Sequence, residues 1–421
     1  MALIKMPYGR GHLDLELPDK RLGAVLRSRA HDYQVDGSEE EIVERALAAP
    51  IDSPRLRDLA RGRKKVVYLA SDHTRPVPSR VIFPLMAREI EAAGAELSLL
   101  VATGCHRPSS RAELEDKFGP GVIDRYPVFI HDCRESETRL IGRLPSGGEF
   151  RINRLAAEAD LLVAEGFIEP HFFAGFSGGR KSVFPGVTDL AGVRYNHSSA
   201  CIAHPLARTG VLEGNPIHQD MVQAAAMSGL AFIVNVVLDA NKKVIAAFAG
   251  HFDRAHRAGA AFLDQLAGLQ AAPADLVVTT NGGRPLDQNL YQAVKGLTAA
   301  EASSRPGGVI IMAARAEDGH GGRDFFDLLN QPDLGRQMED ILARGPARTR
   351  PDQWEAQILI RILLKRRVIL VTEAPRAMVE AMHMAWAPGL PEALEMADSF
   401  LGRPGAKVTV IPDGVGVIVR P

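Results

Sequence analysis

Short apolar runs alternate along the chain with longer segments whose apolar residues recur every three to four positions. Runs such as Lys65–Ala70 and Glu96–Ala102 predict buried strands, and Ser79–Ala93 between them predicts an amphipathic helix. This alternation is typical of α/β proteins, so we predict an α/β fold. Further strands are predicted at Ala159–Ala164, Phe232–Leu238, Lys243–Phe248, Leu276–Thr280, Gly308–Ala313, Val368–Val371 and Lys407–Ile411.

The chain is long enough for more than one hydrophobic core, since 421 residues exceed the usual size of a domain. Pro273 follows an alanine-rich stretch and is the predicted junction between domains. We therefore predict two α/β domains, an N-terminal one at residues 1–270 and a C-terminal one at residues 271–421.

Charge and cysteine usage exclude several classes of protein. The formal net charge is −1, so no strong field attracts nucleic acid or an anionic membrane. The cysteines Cys105, Cys133 and Cys201 form no Cys-x-x-Cys pair, which excludes a zinc ribbon and argues against a disulfide scaffold. The N-terminus lacks a signal-peptide pattern, and no window offers about 20 uninterrupted apolar residues. We expect a cytoplasmic protein that binds neither nucleic acid nor membrane.

Four polar loops follow predicted strands. They are Ser71–Pro78, Thr103–Pro108, Glu165–His171 and Asn281–Pro285, and each combines Gly or Pro with His, Arg or Asp. Loops at the carboxyl ends of parallel strands open into crevices, where ligands bind. Together the four loops predict an active site.

The segment Gly175–Ser182 approaches the phosphate-binding pattern Gly-x-x-x-x-Gly-Lys-Ser, but Arg180 stands where the second glycine belongs. The preceding predicted strand also ends too early, so we reject an ATPase. An anion cradle of backbone N–H groups and cations is still predicted, with an ordinary glycine turn as the alternative. The cradle would consist of Ser177, Gly178, Gly179, Arg180 and Lys181.

Two histidines flank this segment, His171 and His197. Neither belongs to a His-Glu-x-x-His helix, and a protein-only zinc site needs three or four converging ligands. A lone histidine is more often a hydrogen-bonded structural residue. The residues by themselves therefore predict an anionic ligand beside acid/base histidines, and no more.

Five separated motifs together resemble the nickel-dependent lactate racemase family. The resemblance extends from about residue 8 to beyond residue 300. Cys105 departs from it, because a threonine is expected there, and His73 has no clear role. The motifs are Asp72–Pro76, Thr103–Pro108, Glu169–Lys181, Asn196-His197 and Tyr291–Lys295.

The resemblance implies a nickel pincer nucleotide, pyridinium-3,5-bisthiocarboxylic acid mononucleotide. In the family this cofactor grips nickel through two sulfurs and a ring carbon. By motif position, Lys181 would attach it covalently and His197 would be the fourth nickel ligand. Cofactor-biosynthesis proteins would be partners that load it. The residues expected to line the nucleotide are Asp72, His73, Thr74, Arg75, Ser177, Gly178 and Gly179.

The resemblance also implies an isomerase that racemises or epimerises a 2-hydroxy acid. A base would take the hydroxyl proton, and the carbinol hydrogen would leave as hydride to the cofactor, giving a 2-keto acid. His106 and His171 match the acid/base pair. The residues expected to bind substrate are Arg75, Tyr291, Gln292 and Lys295. Since the last three lie beyond Pro273, we expect the active site in the cleft between the domains.

Two alternatives stay open. One is a hydrolase or lyase that holds a metal directly on His106, His171 and His197. The other is a non-catalytic nucleotide-binding protein. The identity of the 2-hydroxy acid is also open, because the sequence does not rank the possible substrates.

Overall fold

Two six-stranded sheets organise the computed structural model, which describes residues 1–420. The strands are Ala2–Tyr8 (β1), Gly11–Leu17 (β2), Leu22–Val25 (β3), Lys65–Ser71 (β4), Glu96–Ala102 (β5), Val128–Ile130 (β6), Thr138–Arg143 (β7), Glu149–Asn153 (β8), Leu161–Phe167 (β9), Pro170–His171 (β10), Gly175–Phe176 (β11), Leu230–Leu238 (β12), Val244–Gly250 (β13), Gly268–Gln270 (β14), Ala274–Thr280 (β15), Ser304–Ala313 (β16), Arg367–Val371 (β17), Ala385–Ala387 (β18), Val408–Ile411 (β19) and Ile418–Arg420 (β20).

Helices connect most of these strands. They are Glu39–Ala48 (α1), Leu56–Ala60 (α2), Ser79–Glu91 (α3), Arg111–Phe118 (α4), Val122–Arg125 (α5), Arg154–Ala157 (α6), Leu190–Asn196 (α7), Ser199–Ala203 (α8), Pro216–Met227 (α9), Arg254–Ala267 (α10), Leu290–Ser303 (α11), Arg323–Leu329 (α12), Leu334–Leu342 (α13), Gln353–Leu363 (α14), Arg376–Ala381 (α15) and Leu390–Leu401 (α16). Short 3₁₀ turns lie at Asp19–Arg21, Arg29–Asp32, Gly179–Ser182 and Pro346–Arg348.

The first sheet has the strand order β13-β12-β9-β4-β5-β6. Its strands are parallel except for β13, which pairs antiparallel with β12. The chain runs from β4 outward to β5 and β6, then returns to place β9 on the other side of β4. The order therefore reverses between β4 and β9, and this is the point where a doubly wound sheet opens a crevice.

The second sheet has the order β18-β17-β16-β15-β19-β3, and all its neighbours are parallel. Its strand order reverses between β15 and β19. Its edge strand β3 comes from the N-terminus, and the hairpin of β1 and β2 packs its apolar residues into the same core. The first 25 residues thus lie with the second sheet, whereas the division at residue 270 stays a prediction.

One apolar core continues from the first sheet into the second, joining Leu69 and Phe173 with Val294 and Ile358. Polar contacts cross the same boundary, since Gln357 Nε2 donates to the carbonyl of Ser199 at 2.9 Å. A continuous core of this kind holds the two sheets in a fixed position relative to each other. It fixes the relative position of the loops that lie between them.

The structure confirms the predicted α/β fold and places a strand at each predicted position, with ends shifted by a few residues. One shift matters for function, because β9 continues to Phe167 and takes Glu165 out of the predicted loop. Glu165 is buried, and it accepts hydrogen bonds from Tyr68 and Ser79. Among the described residues, no helix has the length and apolar character needed to span a membrane.

Candidate active site

A cavity of about 520 Å³ lies between the two sheets, at the carboxyl ends of β4, β5 and β9. It brings most of the predicted residues together. From the first half of the chain the wall includes Asp72, Arg75, His106, His171, Ser177, Gly178, Lys181 and His197. From the second half it includes Tyr291, Gln292 and Lys295. A larger cavity of about 650 Å³ adjoins it at Phe167 and Glu169 but has none of these residues in its wall.

Three predicted residues lie behind the wall. His73 directs Nδ1 to the hydroxyl of Ser109 at 2.9 Å. Thr74 donates its hydroxyl to Asp72 Oδ1 at 2.6 Å. Gly179 packs against Ile233. These contacts support the loops that form the wall, and a contact of these three residues with a nucleotide stays a prediction.

Asp72 and His106 form a close polar pair at the cavity. Asp72 Oδ2 lies 2.6 Å from His106 Nδ1, and the carboxylate is 1% exposed. Burial would raise the pKa of Asp72, but the hydrogen bond and charge of His106, with Arg75 nearby, hold it well below its usual range. The ionised carboxylate therefore holds the imidazole hydrogen on Nδ1, which leaves Nε2 as an acceptor.

His171 has the opposite arrangement. Its Nδ1 accepts a hydrogen bond from the backbone N–H of Ala174 at 3.3 Å, so the neutral ring carries its hydrogen on Nε2. Burial lowers the pKa of His171 well below its usual value, and the positive charges of Lys181 and Lys295 lower it further. The ring stacks on Phe172, with centroids 5.0 Å apart. The two histidines thus have complementary hydrogen-bond roles.

His197 ends helix α7 and lies among aromatic rings. Its centroid is 5.1 Å from that of Phe173 and 5.0 Å from that of Trp354. Burial, with a contribution from the charge of Lys181, lowers the pKa of His197 to about 3, so the ring is neutral. Its Nδ1 is buried without a hydrogen-bond partner among residues 1–420. A neutral imidazole with an unpaired nitrogen is suited to bind a metal.

Lys181 lies on the 3₁₀ turn Gly179–Ser182, with Nζ 5.9 Å from the centroid of Phe173. Within the described chain it forms no ion pair. Burial lowers its pKa well below the usual value, and the charges of Arg180 and Arg75 act in the same direction. A lowered pKa makes the ammonium easier to deprotonate, and the free amine is the nucleophile that covalent attachment of a cofactor requires.

The glycine loop is fixed against the first sheet. Gly178 has φ of +86°, and a Cβ there would lie 2.5 Å from Asn235 Oδ1 and 2.9 Å from the carbonyl oxygen of Phe167. The hydroxyl of Ser177 donates to that same carbonyl at 2.9 Å and accepts from the N–H of Glu169 at 2.9 Å. Glycine is therefore required because the loop backbone touches β9 and β12.

The prediction that Arg180 adds charge to the anion cradle is wrong. Arg180 is fully buried and directs its guanidinium away from the cavity. It donates to the carbonyls of Ser177 and Phe176 at 3.2 and 3.0 Å, and to His218 Nδ1 at 3.1 Å. Burial lowers the pKa of Arg180 to about 9. Its role is to hold the loop that presents Lys181.

The substrate-binding candidates are partly unpaired. Arg75 forms no ion pair in the described part of the chain, and Gln292 Oε1 is buried without a partner there. Gln292 and Lys295 lie three residues apart on α11, as predicted, and so share one face of the helix. Burial and the charge of Arg75 lower the pKa of Lys295. An anionic group would pair with Arg75 and Lys295, whereas the amide oxygen of Gln292 needs a donor such as a hydroxyl group.

Helix α14 adds wall residues that the sequence motifs did not indicate. Glu355 is 2% exposed, and its Oε2 has no partner within residues 1–420. Burial raises its pKa well above the usual value, although the charge of Lys295 opposes this. Trp354 Nε1 donates to the hydroxyl of Tyr291 at 2.9 Å. These residues lie about sixty positions after Tyr291, so their spacing gave no signal of a shared site.

No group of three or more His, Cys, Asp or Glu side chains comes close enough to hold a metal in the part of the chain that the structure describes. Comparison with known protein families shows which family this chain belongs to. The family model for the lactate racemase N-terminal domain matches residues 8–210, and the model for the lactate racemase C-terminal domain matches residues 269–419. The chain belongs to the lactate racemase family. Membership in the family implies a nickel cofactor.

Individual relatives agree with this assignment. The chain is 52% identical to a lactate racemase of Thermoanaerobacterium thermosaccharolyticum and 48% identical to one of Lactiplantibacillus plantarum, and it covers 100% of each. The structure of the lactate racemase apoprotein from the former matches all of the chain with a TM-score of 0.96. A Thermotoga maritima protein, 20% identical, shares the fold at a TM-score of 0.70 over 92% of the chain. The predicted isomerase and its two-domain α/β fold are confirmed.

Substitution of Gly178 by alanine tests the packing of the glycine loop. We expect a loss of about 2–5 kcal/mol in the free energy of unfolding, because the methyl group overlaps Asn235 and the positive φ adds strain. Gly62→Ala is the control, since Gly62 has φ of +76° but no atom within 4 Å of its Cβ position. It should cost only about 1–2 kcal/mol. Urea denaturation measures both, and equal losses would contradict the packing argument.

Competitive acetylation of the cofactor-free protein tests the state of Lys181. Its lowered pKa predicts that acetic anhydride labels Lys181 at a lower pH than it labels Lys243. Lys243 is the internal control, because a hydrogen bond from Nζ to Glu39 at 3.0 Å raises its pKa. Peptide mass spectrometry across a pH series gives both titration curves. Coincident curves would show that Lys181 is an ordinary ammonium.

Proposed function

We propose that this isomerase inverts the C2 stereocentre of a small 2-hydroxy acid by proton-coupled hydride transfer through a planar 2-keto acid. The observation that carries the proposal is the meeting of the Asp72–His106 pair, neutral His171 and Lys181, whose pKa is lowered, in one cavity. The names of the two relatives favour lactate as the substrate. Phe172 and Phe173 give that cavity an apolar wall suited to a methyl group.

The residues fit a tethered nickel pincer nucleotide. Lys181 offers an amine for the covalent bond, His197 offers a neutral nitrogen for nickel, and the backbone at Gly178 lines the same space. When bound, the nucleotide supplies an acceptor and donor of hydride. Nickel held mainly by the cofactor agrees with the scarcity of metal-ligating side chains in the described residues. Loading would require cofactor-biosynthesis proteins as partners.

Proton transfer is assigned to the two histidines. Asp72 holds a hydrogen on His106 Nδ1, so His106 Nε2 can take the hydroxyl proton of the substrate. The imidazolium that results is stabilised by the buried carboxylate. His171 would take the corresponding role for the other enantiomer once its hydrogen has left Nε2, where the hydrogen bond from Ala174 places it in the free protein. Racemisation needs such a group for each hand of the substrate.

The substrate carboxylate is assigned to Arg75 and Lys295. Both are cations in the cavity wall, and the fork of Arg75 can bind two carboxylate oxygens. Binding an anion also favours the charged form of Lys295, whose pKa is lowered by burial and by Arg75. Gln292 and Tyr291 would orient the hydroxy or keto group. Because Gln292 and Lys295 come from α11, substrate would contact both halves of the chain.

The first test is an intact-mass and nickel measurement on protein co-produced with a cofactor-synthesis pathway. We expect a covalent adduct of nucleotide size on Lys181, with about one nickel per chain, and both absent in Lys181→Ala. His197→Ala should keep the adduct but bind nickel more weakly. If this chain stays unmodified while a relative made in the same host carries the adduct, the proposal of a tethered cofactor is refuted. The directly bound metal and the nucleotide-binding protein would then be the remaining interpretations.

Substitution Asp72→Asn tests the acid/base assignment. We expect kcat/KM for racemisation to fall about 10²–10⁴-fold, because the amide no longer holds the required tautomer of His106. The adduct on Lys181 should be unchanged. Asp116→Asn, at a carboxylate whose side chain is 91% exposed, is the matched control and should keep full activity. Circular dichroism spectroscopy gives the proportion of the secondary structure retained in both variants. Full activity of Asp72→Asn would refute the role of the pair.

A further inference from the structure

Two cysteines meet at the edge of the active-site cavity. Cys105 Sγ and Cys133 Sγ lie 3.7 Å apart. They follow β5 and β6, which are parallel neighbours with Val101 paired to Ile130. The carboxyl ends of the two strands therefore place both thiols at one edge of the sheet. Neither thiol has a role in the reaction proposed above.

The two thiols differ in access. Cys105 is partly exposed and lines the cavity, whereas Cys133 is 6% exposed and is not part of the wall. A small oxidant that enters the cavity reaches the pair through Cys105. The hydroxyl of Thr103 donates to the carbonyl of His131, so the two loops are also joined beside the thiols. Sulfur atoms in a disulfide are about 2 Å apart, so a bond requires only a small approach of the loops.

We propose that Cys105 and Cys133 form a reversible disulfide that lowers activity when peroxide is present. One thiolate attacks hydrogen peroxide, so that an S–O bond forms, the O–O bond breaks and hydroxide leaves. The second thiol attacks the resulting sulfenic acid, an S–S bond forms, the S–O bond breaks and water leaves. Two electrons pass from the sulfurs to the peroxide. A dithiol reverses the reaction by exchange.

The hydrogen bond between the thiols supports this chemistry. It lowers the pKa of Cys133, and the positive charge of Arg134 acts in the same direction. The same hydrogen bond and burial raise the pKa of Cys105. The hydrogen bond therefore favours loss of the proton from Cys133 rather than from Cys105, and peroxide that enters at the partly exposed Cys105 meets this second sulfur 3.7 Å away.

The consequence for activity follows from the position of His106. It adjoins Cys105, and its N–H donates to the carbonyl of Thr103 at 3.0 Å within the same turn. A bond that draws Cys105 toward Cys133 would pull on the turn that carries His106 and so shift His106 relative to Asp72. A displacement of about 1 Å at a catalytic group can lower the rate about 100-fold. This effect rests on the proposed role of His106, whereas formation of the bond does not.

Mass spectrometry decides whether the bond forms. Reduced protein is treated with hydrogen peroxide, free thiols are alkylated, and the chain is digested with trypsin without reductant. We expect a linked pair of peptides, residues 89–111 with residues 126–134, lighter by two hydrogens than their sum and separated by dithiothreitol. Cys201→Ser should give the same pair of peptides, because Cys201 lies on α8 and not in either of the loops that carry Cys105 and Cys133. Sulfinic acid at Cys105, or a link to Cys201, without this pair would overturn the proposal.

Activity of the loaded enzyme decides whether the bond regulates. We expect peroxide to lower kcat by at least about tenfold and dithiothreitol to restore it. Cys133→Ser should keep its activity under the same treatment. If peroxide lowers the activity of Cys133→Ser by the same factor, the loss comes from damage to the cofactor, and the regulatory role of the disulfide is overturned. If the loaded enzyme shows no racemase activity at all, the proposed function fails, while the peptide pair still decides whether the disulfide exists.

Discussion

The chemistry of the cavity depends on the cost of keeping several cations away from water. Arg75, Lys181 and Lys295 lie in one wall, and burial together with their mutual repulsion lowers the pKa of both lysines and of His171. The imidazole of His171 is left uncharged, and the amine of Lys181 becomes easier to deprotonate. The same excess of positive charge favours anionic ligands, such as a phosphate or a carboxylate. One electrostatic constraint thus makes the site reactive and selects what it binds.

The fold supplies this constraint by placing both strand-order reversals toward the same cleft. The reversal between β4 and β9 positions the Asp72 loop and the glycine loop, and the reversal after β15 positions α11 with Lys295. The glycine loop then needs rigid support, since Lys181 would otherwise turn its amine toward water. Arg180 provides that support from behind by donating to loop carbonyls. Arg180, which the sequence motif assigned to the anion cradle, thus fixes the backbone of the glycine loop instead.

Much of this could be predicted from the sequence, because strands with apolar runs and helices with a regular period leave strong local patterns. Polar loops after predicted strands indicated a site, and the resemblance to the family supplied the predicted roles of its residues. Arg180 was misassigned because a motif gives residue order but not the direction of a side chain. Glu355 was missed because α14 reaches the cavity only through packing against α11, and no local pattern encodes that contact. The hairpin at β1 and β2 was missed, although Leu13, Leu15 and Leu17 alternate with polar residues in a pattern typical of a half-buried strand.

His106 and His171 differ in which ring nitrogen carries the hydrogen, and this difference affects catalysis of the two directions of racemisation. His106 starts with an acceptor at Nε2, because Asp72 takes the hydrogen on Nδ1. His171 starts with a donor at Nε2, because Ala174 donates to Nδ1 at 3.3 Å. The bond to Asp72 is shorter and charge-assisted, so the tautomer of His106 is fixed more firmly than that of His171. At equilibrium a racemase gives equal amounts of the two enantiomers. Its two acid/base groups need not be equally strong. The asymmetry therefore changes kcat and KM for the two enantiomers, while kcat/KM stays equal for both because the equilibrium constant is 1. The more strongly oriented base, His106, adjoins Cys105 in the chain, so a change in thiol state would alter His106 before His171.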